Sequence, residues 1–189
     1  MSWAKKTGKN EDKKTASKRE AVLQRKKVSD MSIENVKKEF EALGIADRIL
    51  ELDESSATVD LAAHALGCEP NQIAKTLSFQ GAEGPILVVA AGQARIQNGK
   101  FKRTFGVKAS MLKADEIEEL VGHKVGGVCP FAVKDGVQVY LDESLKAFDS
   151  VYPACGSSSS AIKLSLPELE KYSKANGWVD VCKDAAGQA

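Results

Sequence analysis

The sequence reads Ile73-Ala-Lys-Thr-Leu-Ser-Phe79, then the loop Gly81-Ala-Glu-Gly84, then Ile86-Leu-Val-Val-Ala-Ala91. The first run alternates apolar and polar residues with the period of a strand. The second is a continuous apolar run, which is typical of a strand buried on both faces. The glycine-bounded loop between them is of the hairpin type. These segments predict a β-hairpin in the core of the protein.

Helical patterns and shorter strands alternate irregularly around this hairpin. Ser32 is predicted to be the N-cap of a first helix that Gly44 ends. Thr58 is predicted to cap a second helix that ends at Gly67 and points four residues inward, namely Leu61, Ala62, Ala65 and Leu66. Further patterns predict strands over 49–52, 137–141 and 161–164, and helices over 114–121 (with Ile117 and Leu120 inward), over 144–148 and from Ser165 onward. Without a regular β-α-β alternation, this order favours an α+β fold around a mixed sheet.

The composition is that of a soluble globular protein. Of 189 residues, 43% are hydrophobic and 28% are charged, which excludes a wholly disordered, collagen-like or coiled-coil chain. The longest apolar run has six residues, whereas a membrane-spanning helix needs roughly 20. We therefore expect no membrane association. The sequence contains neither a GxxxxGK nor a GxGxxG nucleotide-binding pattern.

Positive charge is concentrated near the N-terminus. Residues 1–30 carry ten Lys or Arg and four Asp or Glu, whereas residues 31–189 carry 17 and 22. We predict a basic, flexible extension over 1–30, a folded domain over 31–182 and a C-terminal tail over 183–189. The extension either adds affinity for nucleic acid or is a dispensable leader, and its charge alone does not separate these alternatives.

The four cysteines, Cys68, Cys129, Cys155 and Cys182, form no CxxC pair. With only two histidines they give no zinc-site spacing, so we expect neither a metal nor another cofactor. Unpaired thiols and the lack of an apolar N-terminal signal segment predict a cytoplasmic location. A Cys155 nucleophile with a histidine base is the lowest-ranked alternative for catalysis.

Lys75 is the residue of the hairpin that most strongly suggests chemistry. In a strand it shares one face with Ile73, Leu77 and Phe79. A charge among apolar side chains is costly unless it is paired or used. Lys75 is therefore either functional or placed so that its ammonium reaches water.

Two loops of small residues could hold a carbonyl or phosphate group. The first is Gly126-Gly-Val-Cys-Pro130, a rigid turn, and the second begins at Ala154-Cys-Gly-Ser157 and continues with three more serines. Each loop could equally be a plain connector, so neither is decisive alone.

A basic stretch without acidic residues runs from Arg95 to Lys113, with two phenylalanines interleaved. It either follows a nucleic-acid backbone or is a solvated face over core phenylalanines. The residues predicted to contact nucleic acid are Arg95, Lys100, Lys102 and Arg103.

Five motifs occur in the order found in one known family. They lie at 53–58, 73–79, 126–130, 152–157 and 161–164. In these motifs the chain resembles the YbaK/EbsC-type aminoacyl-tRNA deacylases, which are relatives of the editing domain inserted in bacterial prolyl-tRNA synthetase. The resemblance covers nearly all of residues 31–182.

The resemblance implies a mixed, curved and barrel-like β-sheet, flanked by helices, with a substrate pocket. It implies hydrolysis, without a cofactor, of the ester joining a wrong amino acid to the 3′-terminal adenosine of a tRNA, often tRNA(Pro). Aminoacyl-tRNA would then be a partner, and prolyl-tRNA synthetase a further candidate partner. The alternative is a non-catalytic module of the same fold that binds tRNA or a synthetase.

The resemblance also implies roles for individual residues. The family's lysine falls on Lys75, which would orient the terminal nucleotide or the aminoacyl carbonyl rather than attack it. The residues that would shape the pocket are Gly126, Gly127 and Pro130. The residues whose backbone amides would hold the carbonyl are Ala154, Cys155, Gly156 and Ser157.

Overall fold

The computed structural model describes residues 32–52 and 58–183. The predicted extension, nearly all of the predicted tail and most of the 53–58 motif lie outside these residues. The helices of the described part are α1 over 32–42, α2 Val59–Leu66, α3 Asn98–Phe105, α4 Ala114–Val121 and α5 Leu166–Ser173. The strands are β1 Ile49–Glu51, β2 Ile73–Gln80, β3 Pro85–Ala91, β4 Arg95–Ile96, β5 Gln138–Asp142, β6 Ser150–Pro153, β7 Ser160–Ile162, β8 Leu164–Ser165, β9 Gly177–Val179 and β10 Cys182–Lys183. Short 3-10 segments occupy Ala46–Arg48, Pro70–Gln72 and Glu143–Ala147.

Six strands form the main sheet, in the order β8-β6-β2-β3-β5-β9. The antiparallel β2–β3 hairpin lies at its centre, and β6 and β5 flank the hairpin as parallel neighbours. The sheet curls into a half-barrel, and two short strand pairs, β1 with β7 and β4 with β10, lie outside it. The predicted α+β fold with a mixed, curved sheet flanked by helices is confirmed.

Strand β3 is apolar throughout because both of its faces are covered. Leu87 and Val89 pack into the main core, whereas Ile86 and Val88 belong to a second cluster with Phe79. Since successive side chains of a strand point to opposite faces, a strand covered on both sides needs a continuous apolar run. This is the physical basis of the predicted hairpin.

Helix α3 has no counterpart in the sequence predictions because its basic residues hide a narrow apolar face. That face buries Phe101, whose ring centroid lies 4.8 Å from that of Phe79 and 4.7 Å from that of Phe105. The phenylalanines interleaved in the basic stretch are therefore core residues. Phe101 is fully buried and therefore not available for stacking on nucleotide bases, whereas Phe105 is half-buried.

The buried faces of α2 and α4 differ from the prediction. Leu61 is 53% exposed and Leu120 is 40% exposed, although both were predicted to point inward. In α2 the buried residues are Ala62, as predicted, and Ala63, which pack with Ile73 of β2, whereas Ala65 is exposed. Small side chains let the helix approach the strand closely, and this contact rather than the helix's own pattern sets the buried face.

One predicted helix cap is confirmed and one is wrong. The Thr58 hydroxyl accepts a hydrogen bond from Leu61 N at 3.3 Å, and Gly67 ends α2 in a left-handed conformation. Ser32, in contrast, is already helical and buried. Its Oγ donates to Gly122 O at 3.1 Å and so ties α1 to the end of α4.

The ion pair between Arg48 and Glu168 is expected to make the stability of the fold depend on pH. Arg48 Nη1 lies 2.7 Å from Glu168 Oε1, and Ser165 N donates to Oε2 at 2.9 Å. Chiefly the Arg48 hydrogen bond, and then the Ser165 amide, lower the pKa of Glu168 from 4.5 to about 2. A depressed carboxyl pKa stabilises the fold above pH 4.5, and this contribution is lost as the pH falls towards 2.

We therefore expect the urea midpoint of the wild-type protein to fall more steeply between pH 4.5 and 2 than that of Glu168→Gln. Chemical denaturation followed by circular dichroism at several pH values measures the difference. Parallel pH profiles for the two proteins would contradict the prediction.

Candidate active site

A cavity of about 250 Å³ opens between α2, strand β2 and the two loops of small residues. Its volume is below the roughly 300–1,000 Å³ typical of sites that bury a whole drug-sized ligand. It therefore suits a small chemical group. The polar side chains of its wall belong to Thr58, Lys75, Thr76, Ser78, Tyr152, Ser157, Ser158 and Ser160, and Gly126 and Ala154 of the two loops also line it.

The cavity lies where the outer edge of β2 loses its neighbouring strand. β6 pairs with β2 only at Ile73 and Ala74. Further along, Met111 bridges to Phe79. Between these two contacts β2 borders the cavity, so an interruption in strand pairing creates the site.

The structure explains how the half-buried Lys75 is accommodated at the cavity. Its Nζ donates to Gly92 O and Ala94 O, both within 2.8 Å, in the turn that follows β3. Burial lowers the pKa of Lys75, and the neighbouring charge of Arg95 acts in the same direction. An ammonium has three N–H donors, so these two carbonyls leave one for another group.

The turn that receives Lys75 depends on a glycine. A Cβ on Gly92 would lie 2.0 Å from Pro70 O and 2.6 Å from a Val59 methyl group. Only a residue without a side chain can bring this carbonyl to Lys75 at such close range. The sequence analysis did not single out Gly92, because only the tertiary approach of Pro70 reveals the requirement.

The two loops of small residues are in close contact with each other. A Cβ on Gly127 would lie 2.7 Å from Gly156 O, and a Cβ on Gly156 would lie 2.7 Å from Ser32 O. Gly126, Ala154 and Ser157 line the cavity. Gly127 and Gly156 do not line the cavity. They line an adjoining depression, where the two loops contact each other.

Three amides of these loops already have partners inside the protein. Cys155 N donates to Ser160 O at 3.2 Å, and Ser157 N donates to Ser160 Oγ at 3.2 Å. Gly127 N donates to Lys124 O at 3.0 Å. In this conformation these N–H groups fix the shape of the loops.

Pro130 is not brought to the cavity. It is buried and borders a different depression, together with Glu39 and Lys174. The chain then turns through Ala132, whose positive φ of 47° is stabilised by a 2.6 Å hydrogen bond from its N–H to Glu39 Oε2. Pro130 therefore supports the turn from outside the cavity.

The thiols are poorly placed for nucleophilic catalysis. Cys129 and Cys155 are fully buried in the main core. Burial raises the pKa of Cys129 to about 12 and raises that of Cys155 well above its ordinary value. His123 is buried with Nε2 2.7 Å from Phe131 O, which fixes that nitrogen as a donor. These features count against the Cys155 alternative.

Thiol labelling of the native protein is expected to spare Cys155. Iodoacetamide at neutral pH should modify the half-buried Cys68 first, because Cys155 is both inaccessible and protonated. Peptide mass spectrometry after a short exposure measures the sites of modification. Rapid labelling of Cys155 together with loss of activity would restore the thiol mechanism.

The four residues predicted to contact nucleic acid lie outside the cavity wall. Lys102 and Arg103 are exposed on α3, and Arg95 is exposed on β4. Lys100 donates to Asp180 Oδ1 at 2.5 Å and to Cys182 O at 3.0 Å. Of these four residues, Arg95 influences the cavity, because its positive charge contributes to lowering the pKa of Lys75.

The described residues contain neither a metal-binding cluster nor a membrane-spanning helix. In residues 32–52 and 58–183, no cluster of three or more His, Cys, Asp or Glu is arranged to hold a metal ion. In the same part of the chain, no helix has the length and apolarity needed to cross a membrane.

Comparison with known proteins identifies the family. Residues 53–172 match the model of the aminoacyl-tRNA editing domain. The chain belongs to this family. The editing domain is 49% identical over 156 residues to the uncharacterized protein YwhH of Bacillus subtilis (strain 168), a match that covers 82% of this chain and 99% of that protein. The resemblance found in the motifs is thereby confirmed.

The chain is also similar to a proline–tRNA ligase and to a solved structure. It is 26% identical over 117 residues to the proline–tRNA ligase of Bacillus cytotoxicus, covering 61% of this chain and 20% of the ligase. It also superposes on the crystal structure of a protein proposed to be a trans-editing enzyme for prolyl-tRNA synthetase. That match has a TM-score of 0.73 and 31% identity, and covers 80% of this chain and 97% of that one.

Proposed function

We propose that this editing domain is a free-standing aminoacyl-tRNA deacylase. Its substrate would be tRNA(Pro) carrying a small wrong amino acid. The observation that carries the proposal is a cavity sized for a small acyl group beside Lys75, in a fold shared with a proposed trans-editing enzyme for prolyl-tRNA synthetase. The similarity to proline–tRNA ligases supports tRNA(Pro) as the tRNA and prolyl-tRNA synthetase as a partner.

In the proposed binding mode the acyl group enters the cavity and the terminal nucleotide stays at its mouth. Lys75 at the cavity and the exposed Arg95 would supply positive charge for a phosphate of this nucleotide. Lys102 and Arg103, exposed on α3, extend this charge along the tRNA backbone. We place the reaction in the cytoplasm, in keeping with four unpaired cysteines.

The chemistry needs little beyond positioning. Water adds to the ester carbonyl, the bond from the carbonyl carbon to the ribose oxygen breaks, and the tRNA hydroxyl leaves with the proton. An aminoacyl ester is already activated, so holding it in place beside water supplies much of the rate. N–H donors aimed at the developing oxyanion supply more. Gly126 and Ala154 are the loop residues at the cavity wall from which such support would come.

A deacylation panel tests this function. The full chain is mixed with tRNA(Pro) charged in turn with Ala, Cys, Ser, Thr or Pro, and release of the labelled amino acid is followed. We expect release of one or more small wrong amino acids while Pro-tRNA(Pro) stays intact. Binding of tRNA without release from any member would favour the non-catalytic binding module instead.

A further inference from the structure

The open edge of β2 at the cavity is one residue wide. Ala74 still pairs with β6 through Pro153. Leu112 N donates to Ser78 O at 3.0 Å, and Gln80 N to Ser110 O at 2.8 Å. Thr76 lies between these contacts, and in the described residues neither neighbouring segment pairs with it on this edge.

The main chain of Thr76 faces this opening. In an antiparallel strand, residues alternate in the edge to which their N–H and C=O point. Ser78 uses its C=O and Gln80 its N–H on the outer edge, so Thr76, in the same phase, also directs its N–H and C=O outward. On the inner edge, Thr76 lies opposite Val89 of β3 as a non-hydrogen-bonded pair, so its N–H and C=O are not used there. Its two outward-facing backbone groups therefore border the cavity.

The side chain of Thr76 provides a second observation at this position. Its hydroxyl oxygen is buried, and no hydrogen-bond partner for it exists in the described part of the chain. Buried polar atoms of folded proteins nearly always have a partner. Thr76 also lines the cavity. Thr76 therefore adds polar groups at the edge of the cavity.

We propose that the aminoacyl group of the substrate binds here as a strand of a single residue. This rests on the deacylase function proposed above. Thr76 N–H donates to the ester carbonyl oxygen, and the α-ammonium of the substrate donates to Thr76 C=O. An aminoacyl ester presents these two groups in the arrangement of a residue in an antiparallel pair, and strand addition at an open edge is a common way to bind peptides.

In this pairing Thr76 N–H, rather than a loop amide, binds the ester carbonyl oxygen. Three of those amides are bonded within the loops, whereas the Thr76 edge is open. The pairing also defines the substrate class. An α-amino acyl group with a free ammonium fills both positions, whereas an α-hydroxy acyl group of the same size provides no charged donor for Thr76 C=O.

The test uses two stable amide analogues, 3′-alanylamino-3′-deoxyadenosine and its lactyl counterpart, with the full protein. Backbone amide exchange measured by NMR is the first readout. In the free protein, Thr76 N–H should exchange faster than Gln80 N–H, which is bonded to Ser110 O. The alanyl analogue should slow Thr76 exchange about tenfold or more and leave Gln80 unchanged, because a new hydrogen bond protects only Thr76.

The second readout is affinity, and the lactyl analogue should bind about 10- to 100-fold more weakly since it lacks the charged donor. Equal affinities, binding that leaves Thr76 exchange unchanged, or no binding of the alanyl analogue at millimolar concentration would overturn the inference. Binding at Thr76 without ester cleavage in the deacylation panel would refute the function but not the pairing. Ester cleavage with equal affinities for the two analogues would refute the pairing but not the function.

Discussion

Replacing Lys75 by methionine is expected to lower kcat/KM for deacylation about 100-fold, because the ester is misplaced when the group that orients the substrate is removed. Methionine keeps the length and the apolar stem of the side chain but removes the ammonium at the cavity. The variant loses the positive charge next to Arg95 and the remaining N–H donor. Single-turnover release of the amino acid from mischarged tRNA measures the loss.

The same substitution is also expected to reduce stability, because Gly92 O and Ala94 O lose their donor. An unpaired buried carbonyl costs about 1–3 kcal/mol. Lys134→Met is a matched control, since Lys134 Nζ donates to a backbone carbonyl, Glu119 O, at 2.6 Å and lies outside the cavity wall. We expect the control to keep full activity. A Lys75→Met protein that is folded and fully active would show that the lysine only supports the turn.

The second large effect is expected for Gly127→Ala. The added Cβ would lie 2.7 Å from Gly156 O and 2.8 Å from Ser157 Cα, both of which are backbone atoms that cannot rotate away. Overpacking of this kind costs about 1–3 kcal/mol. To relieve the clash the two loops must separate, which moves Gly126 and Ser157 at the cavity wall. Because catalysis depends on positioning, we expect at least a tenfold loss of deacylation activity.

Gly99→Ala is the control for this substitution. Gly99 lies in α3, and the nearest atom to its added Cβ would be Arg103 Nη1 at 3.6 Å, an ordinary contact. Alanine in a helix is more favourable than glycine by about 0.5–1 kcal/mol, so the control should be slightly more stable than the wild type. Equal unfolding free energies for Gly127→Ala and the wild type, measured by urea denaturation, would mean that the two loops do not need their close contact.

The features that sequence analysis predicted correctly are local ones. The β2–β3 hairpin, the Thr58 cap and the Gly67 helix end follow from residue periodicity and from the backbone conformations that particular residues allow. The family could also be identified, because its motifs are short runs of consecutive residues. Lys75 was singled out for the same reason, since a charge in an alternating strand pattern is visible without a structure.

The tertiary structure decided the features that depend on which segments meet. Helix α2 buries Ala62 and Ala63 rather than Leu61 because it packs closely against β2. Ser32 bonds Gly122 because α1 lies beside the end of α4. The partners of Lys75 lie 17 and 19 residues further along the chain. The gap in strand pairing at Thr76 exists only because β6 and the segment around Met111 diverge there. Local patterns reflect backbone preferences, but cavities and unpaired edges arise from packing between distant segments, which no single stretch of sequence encodes.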